Sequence, residues 1–333
     1  MSISVLNSGL LTTIQDRGRY GYEKYGVIVS GAMDQYSMRI ANILVGNEEN
    51  EGVFEITLIG PALKIKKGNL ISITGADISP TINGKRVPIE RPIYLNEDCV
   101  LKFGKCANGC RAYIAIAGGI DVPVVMDSKS TYLRCGIGGQ DGRALKKGDV
   151  INIGKKNNIS LGIIDKIKVL NKGESFVYTK WYAKNFIINE NYPTYIRVFE
   201  DMQFKNIKEE SIKDFFSKPF IIDSKSDRMG YRLNGPKVEL SEKLEMISEE
   251  VSLGTIQIPP DGNPIILLAD RATAGGYPKI AHVALYDIPK LVQLKPNDKI
   301  IFKKITLKEA EDLYLKREMY IEELKKSIKL MSI

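Results

Sequence analysis

The sequence predicts a mainly β protein built from two tandem β-barrel lobes, with few short helices and a C-terminal helix. Apolar and polar residues alternate over 62–75 and over 195–199, which is the period of half-buried strands. Turn residues recur between such runs, at Asn83-Gly84, Asn108-Gly109, Gly138-Gly139, Asp141-Gly142, Asp261-Gly262 and Gly275-Gly276. Many short strands with little helix favour barrels or sandwiches over a parallel sheet.

Two segments carry a helical pattern. Residues 34–45 begin with Asp34, whose short carboxylate is typical of a helix N-cap. A longer helix is predicted over 307–330, where Thr306 and Glu309 have the spacing of a capping box and an apolar stripe follows.

Two pairs of segments repeat in the same order along the chain. "GPALKIKKGNLISI" begins at Gly60, and "GPKVELSEKLEMI" begins at Gly235. "LKKGDVINI" begins at Leu145, and "LKPNDKIIF" begins at Leu294. Such order indicates two related β lobes, with chance similarity between strand patterns as the alternative.

The repeat predicts where the lobes lie. We expect a first β-barrel lobe over 1–165, a linker region over 166–194, a second lobe over 195–305 and the C-terminal helix over 306–333. A chain of 333 residues is also too long for one small core and suggests two domains.

Composition favours a soluble globular protein, with 44% hydrophobic and 26% charged residues. The net charge of +8 comes from scattered Lys without zinc-finger or RNA-binding spacing, so we expect no nucleic-acid partner. The longest aliphatic run, near 265–269, is too short to span a membrane, and the N-terminus lacks a signal-peptide pattern. A cytoplasmic location without a membrane partner is expected.

The four cysteines are expected to be reduced thiols, because no export signal accompanies them. Cys106 and Cys110 are four residues apart, but no second Cys pair and no nearby His complete a zinc pattern. The sequence therefore predicts no metal site.

One candidate site is the stretch "SDRMGYRLNGP", at 226–236. Arg228 and Arg232 have the forked donors that bind a carboxylate or phosphate, and Asp227 would orient one guanidinium. Gly230 would allow close approach of the backbone to a ligand. We treat Arg228 and Asp227 as candidate catalytic residues and Arg232 as substrate-binding; a surface turn or a tightly packed Arg–Asp pair is the alternative.

A second candidate is the Gly-rich, charged stretch over 12–34, which leads into the first predicted helix. A helix N-terminus attracts anions through its free N–H groups and its dipole. A long loop ordered by its own turns is the alternative. The candidate substrate-binding residues in this stretch are Gln15, Asp16, Arg17 and Asp34.

The third candidate stretch, 254–282, is the richest in polar groups. His282 is a candidate catalytic residue, because an imidazole serves as a general acid or base. Lys279 is another, because a Gly-Gly loop with neighbouring hydroxyls and a Lys can present backbone N–H groups to an oxyanion. A hydrogen-bonded His in the core is the alternative. The candidate substrate-binding residues here are Asp261, Asp270, Thr273, Gly275, Gly276 and Tyr277.

Several enzyme motifs are missing from the sequence. It contains no phosphate-binding G-x-x-x-x-G-K-[ST] loop, no G-x-S-x-G elbow and no biotin-carrier A-M-K-M sequence. "GIGGQDG", at 136–142, lacks the strand–helix setting of a dinucleotide-binding loop, and a hairpin turn explains it better.

Three of these stretches together resemble a known family. They are "GLLTTIQDRGRYGYEKYGVIVSGAMD", "SDRMGYRLNGP" and "TIQIPPDGNPIILLADRATAGGYPKIAHV", with a fourth at "YIAIAGGIDVPVVMDSKSTY". Over about residues 5–302 the chain resembles the C subunit of bacterial ATP-dependent 5-oxoprolinase. That family is also described as biotin-dependent carboxyltransferase subdomain B, or allophanate hydrolase subunit 2. Two departures are Asp127, where a Gly is expected, and Ala274, where a Thr is expected.

The resemblance implies two cyclophilin-like β-barrel lobes and an enzyme that is active only with partner subunits, named B and A. The implied reaction opens 5-oxo-L-proline to L-glutamate with ATP hydrolysis, and ATP with Mg²⁺ binds in the complex, whether or not this chain touches it. In that setting the loops at 15–17, 226–232 and 270–282 are expected to gather around one cleft.

Two other activities occur in the same family and share the same motifs. One is a carboxyltransferase that works with a biotin carrier on urea or a related amide. The other is regulatory: a member that antagonises an inhibitor of a sporulation kinase.

Overall fold

The chain folds into two compact units, each built mainly from β-strands. The computed structural model describes residues 2–171, 173–184, 193–242, 244 and 246–333. The first unit takes its described residues from 1–19, 30–188 and 320–333, and the second takes them from 20–29 and 189–319. Each unit is described by itself below.

The first unit contains two antiparallel sheets around one apolar core. Its strands are β1 (Ser2–Asn7), β2 (Leu11–Gln15), β3 (Val53–Thr57), β4 (Ala62–Ile65), β5 (Leu70–Asp77), β6 (Thr81–Ile82), β7 (Lys85–Arg86), β8 (Pro92–Leu95), β9 (Cys99–Lys102), β10 (Asn108–Ile116), β11 (Ile120–Asp121), β12 (Val150–Ile153) and β13 (Phe176–Tyr178). One sheet has the order β11-β12-β1-β4-β9-β6-β7, and the other has the order β13-β8-β5-β10-β3-β2. Helices α1 (Gln35–Leu44) and α2 (Asn158–Lys168) complete the unit, with α1 lying against β5 and β10.

The second unit is a closed seven-stranded barrel. Its strands are β14 (Thr194–Glu200), β15 (Phe220–Ile222), β16 (Gly230–Asn234), β18 (Thr255–Gln257), β19 (Ile265–Leu267), β21 (Lys279–Val283) and β22 (Lys299–Lys304). They close in the order β14-β21-β18-β19-β16-β15-β22, and only the β14–β22 pair in this ring is parallel. Stacking of Phe215 on Phe302, with 4.5 Å between ring centroids, fills one region of the core.

The second unit also contains shorter elements outside the barrel strands. A two-stranded ribbon joins β17 (Glu249–Glu250) to β20 (Ala274–Gly275), and two helices, α3 (Glu209–Ser217) and α4 (Ile288–Val292), lie along the chain between strands. Single 3-10 turns occur at Glu23–Tyr25 and at Phe204–Asn206.

Both predicted helices are confirmed, and so are their caps. Helix α1 begins after Asp34, whose Oδ1 accepts a 2.9 Å hydrogen bond from the N–H of Ser37. Helix α5 (Leu307–Met331) begins after Thr306, whose N–H donates to Glu309 over 2.7 Å while the N–H of Glu309 donates to the Thr306 hydroxyl over 3.1 Å. This is the reciprocal capping box. In the part of the chain that the structure describes, no helix combines the length and the apolar character needed to cross a membrane.

The second repeated pair of segments has the same local structure in both units. Asp149 and Asp298 each accept, at 2.8 Å, the N–H of the Lys three residues before them. Each turn passes through a left-handed residue, Gly148 with φ of +95° and Asn297 with φ of +74°. A strand follows each turn, β12 in the first unit and β22 in the second. This equivalence supports a tandem origin for the two lobes.

The first repeated pair differs from the prediction. The segment from Gly60 forms strands β4 and β5. In the matching segment, 235–247, the described residues form no strand, and Leu240 makes only an isolated bridge with Ile207. The physical reason is that Val238 alone is buried there, so the alternating pattern has no apolar face to cover. Residues 243 and 245 of this segment lie outside the described residues.

The predicted mainly β fold, with few helices and a C-terminal helix, is confirmed. The strands expected over 62–75 are β4 and β5, and the strand expected over 195–199 lies within β14. The predicted linker region, 166–194, contains the end of α2 and all of β13, while 172 and 185–192 lie outside the described residues. The lobe boundaries given above stay a prediction.

The "GIGGQDG" loop of the first unit allows a matched test of backbone geometry. Gly136 and Gly142 have nearly equal φ values, +65° and +66°. A Cβ on Gly136 would meet open space, whereas a Cβ on Gly142 would lie 1.9 Å from the carbonyl oxygen of Gly136.

We predict that Gly136→Ala lowers the free energy of unfolding by about 1 kcal/mol, the cost of a left-handed L-residue. Gly142→Ala should cost about 2 kcal/mol more, because the backbone itself must move. Urea unfolding of both variants measures the difference, and equal losses would contradict this loop geometry.

Candidate functional site

The guanidinium of Arg228 is occupied by a carboxylate from a distant part of the second unit. Its Nε donates to Oδ2 of Asp270 over 2.9 Å, and its Nη2 donates to Oδ1 over 3.0 Å. Both side chains are more than nine-tenths buried. The backbone repeats the connection, since the N–H of Asp270 donates to the carbonyl of Arg228 over 2.9 Å. This geometry favours the alternative of a packed Arg–Asp pair over an anion-binding loop.

The other candidates in 226–236 have simpler surroundings. Oδ1 of Asp227 accepts hydrogen bonds from the N–H groups of Met229 and Gly230, so this carboxylate orders the turn. The sequence predicted that Asp227 orients a guanidinium, but the carboxylate that binds Arg228 is that of Asp270. Arg232 is exposed on β16. Contact of either Arg with a substrate stays a prediction.

The candidates in the first unit are held by hydrogen bonds within it. The buried carboxylate of Asp16 accepts from Gly18, from the N–H of Lys129 and from the hydroxyls of Ser128 and Ser130. Such a network satisfies the charge and orders the loop.

Three further first-unit candidates lie nearby along the chain. Gln15 is buried and donates to Thr13 and to the carbonyl of Thr131, and Asp34 caps α1. Arg17 is half-buried. The expected gathering of 15–17 with loops of the second unit stays a prediction.

His282 lies on β21 in a polar cluster of the second unit. Its Nε2 is 3.0 Å from Oγ1 of Thr255, 3.3 Å from Oγ of Ser252 and 3.4 Å from Oδ2 of Asp201. Its ring stacks on Phe199, with centroids 5.5 Å apart. A Ser–His–Asp triad needs the Ser and the Asp on different ring nitrogens. Because all three contacts converge on one nitrogen, this cluster is not a triad of that kind.

The surroundings of His282 favour the neutral imidazole. Burial lowers the pKa of His282 below its usual 6.5; the carboxylate of Asp201 opposes this, while the charges of Lys279 and Arg271 add to it. A neutral His is the form that accepts a proton, so the cluster is suited to general base chemistry.

The remaining candidates of 254–282 lie around the β17–β20 ribbon and its neighbouring turns. The ammonium of Lys279 is buried and donates to Oε2 of Glu249 over 2.6 Å. Gly275 pairs with Glu249, and a Cβ on Gly275 would lie 2.6 Å from the side-chain amide of Gln257. Gly276 and Tyr277 are exposed beside this ribbon, and Asp261 orders an exposed turn through Asn263.

A small pocket of about 40 Å³ opens beside the same ribbon, within the second unit. Thr273 is the one sequence-predicted candidate that lines it. Among the described residues, the lining consists of Glu23, Ile28, Val29, Glu250, Val251, Ser252, Arg271, Ala272 and Thr273. Ser252 belongs both to this lining and to the His282 cluster, so its hydroxyl connects the pocket to the imidazole.

Arg271 is the cation of the pocket, and the sequence predicted neither it nor the two carboxylates, Glu23 and Glu250. Its Nε and Nη1 donate long hydrogen bonds to the carbonyls of Val251 and Leu268, at 3.3 Å and 3.4 Å. Burial lowers its pKa, against the opposing effect of Tyr20, Glu23 and Glu250. The signal that could have found it is its place directly after Asp270, in "DRATAGG".

No group of His, Cys, Asp and Glu within the described residues has an arrangement that could hold a metal ion. The four cysteines form no disulfide, and burial raises the pKa of Cys99 to about 11.

The comparisons place this fold and these motifs in a family. A family model described as carboxyltransferase domain, subdomain A and B, matches residues 25–304. The chain belongs to this family. The resemblance drawn from the sequence is thereby confirmed.

Two members of similar length are both named as the C subunit of 5-oxoprolinase. The protein of that name from Haemophilus influenzae is 32% identical over 330 residues, which cover 98% of this chain and 98% of that protein. The one from Escherichia coli is 32% identical over 322 residues, which cover 97% of each.

Larger family members contain the same fold as one part. The urea amidolyase of Saccharomyces cerevisiae is 33% identical over 337 residues, which cover 95% of this chain but 18% of that protein. The crystal structure of the Kluyveromyces lactis urea amidolyase superposes with a TM-score of 0.85 at 31% identity, covering 97% of this chain and 20% of that one.

The two departures from the family pattern have visible consequences. Asp127 has φ of +58°, a left-handed conformation in which the expected Gly would carry no penalty. Ala274 lies in β20 and pairs through its backbone with Glu250. Because the residue is Ala and not Thr, the ribbon has no side-chain hydroxyl at this position.

We predict that Arg228→Ala lowers the free energy of unfolding by about 3–5 kcal/mol, because it leaves the buried Asp270 without its cation. Arg86→Ala is the matched control, since its pair with Asp77 is half exposed and is worth at most about 1 kcal/mol. A near-normal melting temperature for Arg228→Ala, with activity lost, would restore the anion-binding interpretation.

We also predict a pH dependence of stability that comes from the single His. Because the folded pKa of His282 is lowered, the unfolded chain binds the proton more tightly. The contribution of His282 to the free energy of unfolding is present above the unfolded-state pKa of 6.5, and it is lost as the pH falls through the lowered pKa of the folded state.

Free energies of unfolding between about pH 7.5 and pH 5, for the native chain and for His282→Gln, test this expectation. The variant should lose less stability than the native chain over that window. Parallel profiles would show that the folded pKa of His282 is not lowered.

Proposed function

We propose that this chain is a subunit of an ATP-dependent 5-oxoprolinase, active with A-type and B-type partner subunits in the cytoplasm. The observation that carries the proposal is the match with two 5-oxoprolinase C subunits over 98% and 97% of their own lengths. The match with urea amidolyase covers only 18% of that larger protein. The reaction opens the lactam of 5-oxo-L-proline to give L-glutamate, with ATP hydrolysis.

The pocket of the second unit supports a role in binding a small polar molecule. It combines a guanidinium, a hydroxyl and a carboxylate, on Arg271, Ser252 and Glu250, with the apolar side chains of Ile28 and Val29. Pockets of this mixed character orient a ligand through a few polar groups and bury its remainder against apolar walls.

His282 supplies the general base in this proposal. The neutral imidazole takes a proton from the hydroxyl of Ser252, whose oxygen in turn takes one from a water or ligand in the pocket. The carboxylate of Asp201, 3.4 Å from Nε2, then stabilises the imidazolium. We assign ATP and Mg²⁺ to the assembled complex, because the sequence contains no phosphate-binding loop.

The second candidate function is carboxyl transfer from a biotin carrier to urea or a related amide. The superposition on the Kluyveromyces lactis urea amidolyase, with a TM-score of 0.85, favours it. In that case biotin is the cofactor, carried by a partner.

Reconstitution tests the first function against the second. The chain purified with A-type and B-type partners should release glutamate from 5-oxo-L-proline only when ATP is present, and omission of any one subunit should stop the release. Glutamate release by the partners without this chain would refute the proposed role. Urea-dependent carboxylation with a biotin carrier, and no glutamate, would favour the second function.

A further inference from the structure

One wall of the second-unit pocket comes from a loop, residues 18–31, that is distant in the sequence from the rest of the lining. Glu23, Ile28 and Val29 belong to this loop. We propose that residues 18–31 form a lid, which closes over the pocket and opens by rotation about its two ends. The proposal rests on the proposed function only in taking the pocket as the place that a substrate must enter.

The two ends of the lid are fixed at one place. The N–H of Ala32 donates to the carbonyl of Asp16 over 2.8 Å, and Oδ1 of Asp16 accepts from the N–H of Gly18 over 2.7 Å. A Cβ on Gly31 would lie 2.7 Å from the carbonyl oxygen of Arg17, so the incoming and outgoing chains touch. A loop of this length whose ends meet is an Ω-loop, a compact form that is often functional.

The tip of the lid is folded on itself. The N–H of Tyr25 donates to the carbonyl of Tyr22 over 2.9 Å. The N–H of Gly26 donates to the carbonyl of Glu23 over 2.8 Å. Because these hydrogen bonds close within the lid, they are kept when the lid moves.

Both ends contain a residue that suits a hinge. Residues 20–29 belong to the second unit, whereas the chain on either side of them belongs to the first. Gly18 has φ of +102° and Gly31 has φ of +90°. A hinge absorbs the change of backbone angle at a few such positions, and glycine does so at the least steric cost.

The inner face of the lid is held against the pocket by apolar contact and by charge. Ile28 and Val29 are buried, whereas Tyr20 and Tyr25 are exposed on the lid. Opening puts the apolar side chains into water, so the closed state is the more populated one. The carboxylate of Glu23 also attracts the guanidinium of Arg271 across the pocket when the lid is closed.

The volume of the closed pocket requires an opening motion. About 40 Å³ has room for about three water-sized groups. A ring compound that carries a carboxylate is larger than this. Such a molecule therefore enters and leaves only when one wall moves, and the lid is the wall that has hinges.

Thiol labelling of the whole chain measures the opening. The probes are Ile28→Cys on the lid and Val251→Cys on the ribbon side of the pocket, both at buried positions. Each is made in a chain whose Cys106 and Cys135, the two native cysteines that are not buried, are replaced by Ser. Ile256→Cys, at a fully buried position of β18, is the control that reacts only when the barrel unfolds.

We expect both probes to react with dithiobis(nitrobenzoate) at least about 100-fold faster than the control, because opening the lid needs less free energy than unfolding the barrel. The two probes should react at similar rates, since one motion exposes both. Melting curves of the three variants show whether any fast reaction reflects unfolding.

The charge of Glu23 is tested with the same probes. Glu23→Gln should speed the labelling of both by about twofold to fivefold, because the attraction to Arg271 is lost. Lys24→Gln is the matched control, since Lys24 is exposed on the lid, lies over the ring of Tyr25 and is absent from the pocket lining. It should leave both rates unchanged.

Equal rates for Ile28→Cys and Ile256→Cys would overturn the proposal. Fast labelling of Ile28→Cys alone would also overturn it, because the loop would then fray without opening the pocket. None of these measurements involves catalysis. Slow labelling with glutamate release by the reconstituted complex refutes the lid and leaves the proposed function standing, and fast labelling of both probes without glutamate release does the reverse.

Discussion

The buried ion pair between Arg228 and Asp270 is the interaction on which the geometry of the second-unit pocket depends. Two side-chain hydrogen bonds and one backbone hydrogen bond join these residues, and the N–H of Leu268 donates to the carbonyl of Met229 beside them. Arg271 follows Asp270 directly in the chain. Fixing Asp270 therefore fixes the point from which the guanidinium of Arg271 extends along the pocket wall.

The β17–β20 ribbon and strand β21 bring the other groups to the same place. Glu250 lies on β17, Ser252 follows it, and His282 lies on β21, which pairs with β18 through Thr255. Ser252 contacts His282 on one side and the pocket on the other. The imidazole and the polar wall of the pocket are thus connected by a single hydroxyl.

The sequence predicts the helix caps and turns, which depend on local interactions, but not the side-chain contacts between residues that are distant in the chain. The caps at Asp34 and Thr306, and the Asp turns before β12 and β22, use residues within four positions of each other. The partner of Arg228 is forty-two residues away, so the nearer Asp227 was assigned instead. Arg271 was missed for the same reason, because the pairing of β17 with β20 brings together residues that line its pocket.

A crystal structure of the chain with its partner subunits and bound 5-oxo-L-proline tests the central claim most directly. The account predicts the ligand in the second-unit pocket, within hydrogen-bond distance, about 3 Å, of the hydroxyl of Ser252. A ligand bound elsewhere, out of reach of Ser252, would contradict it.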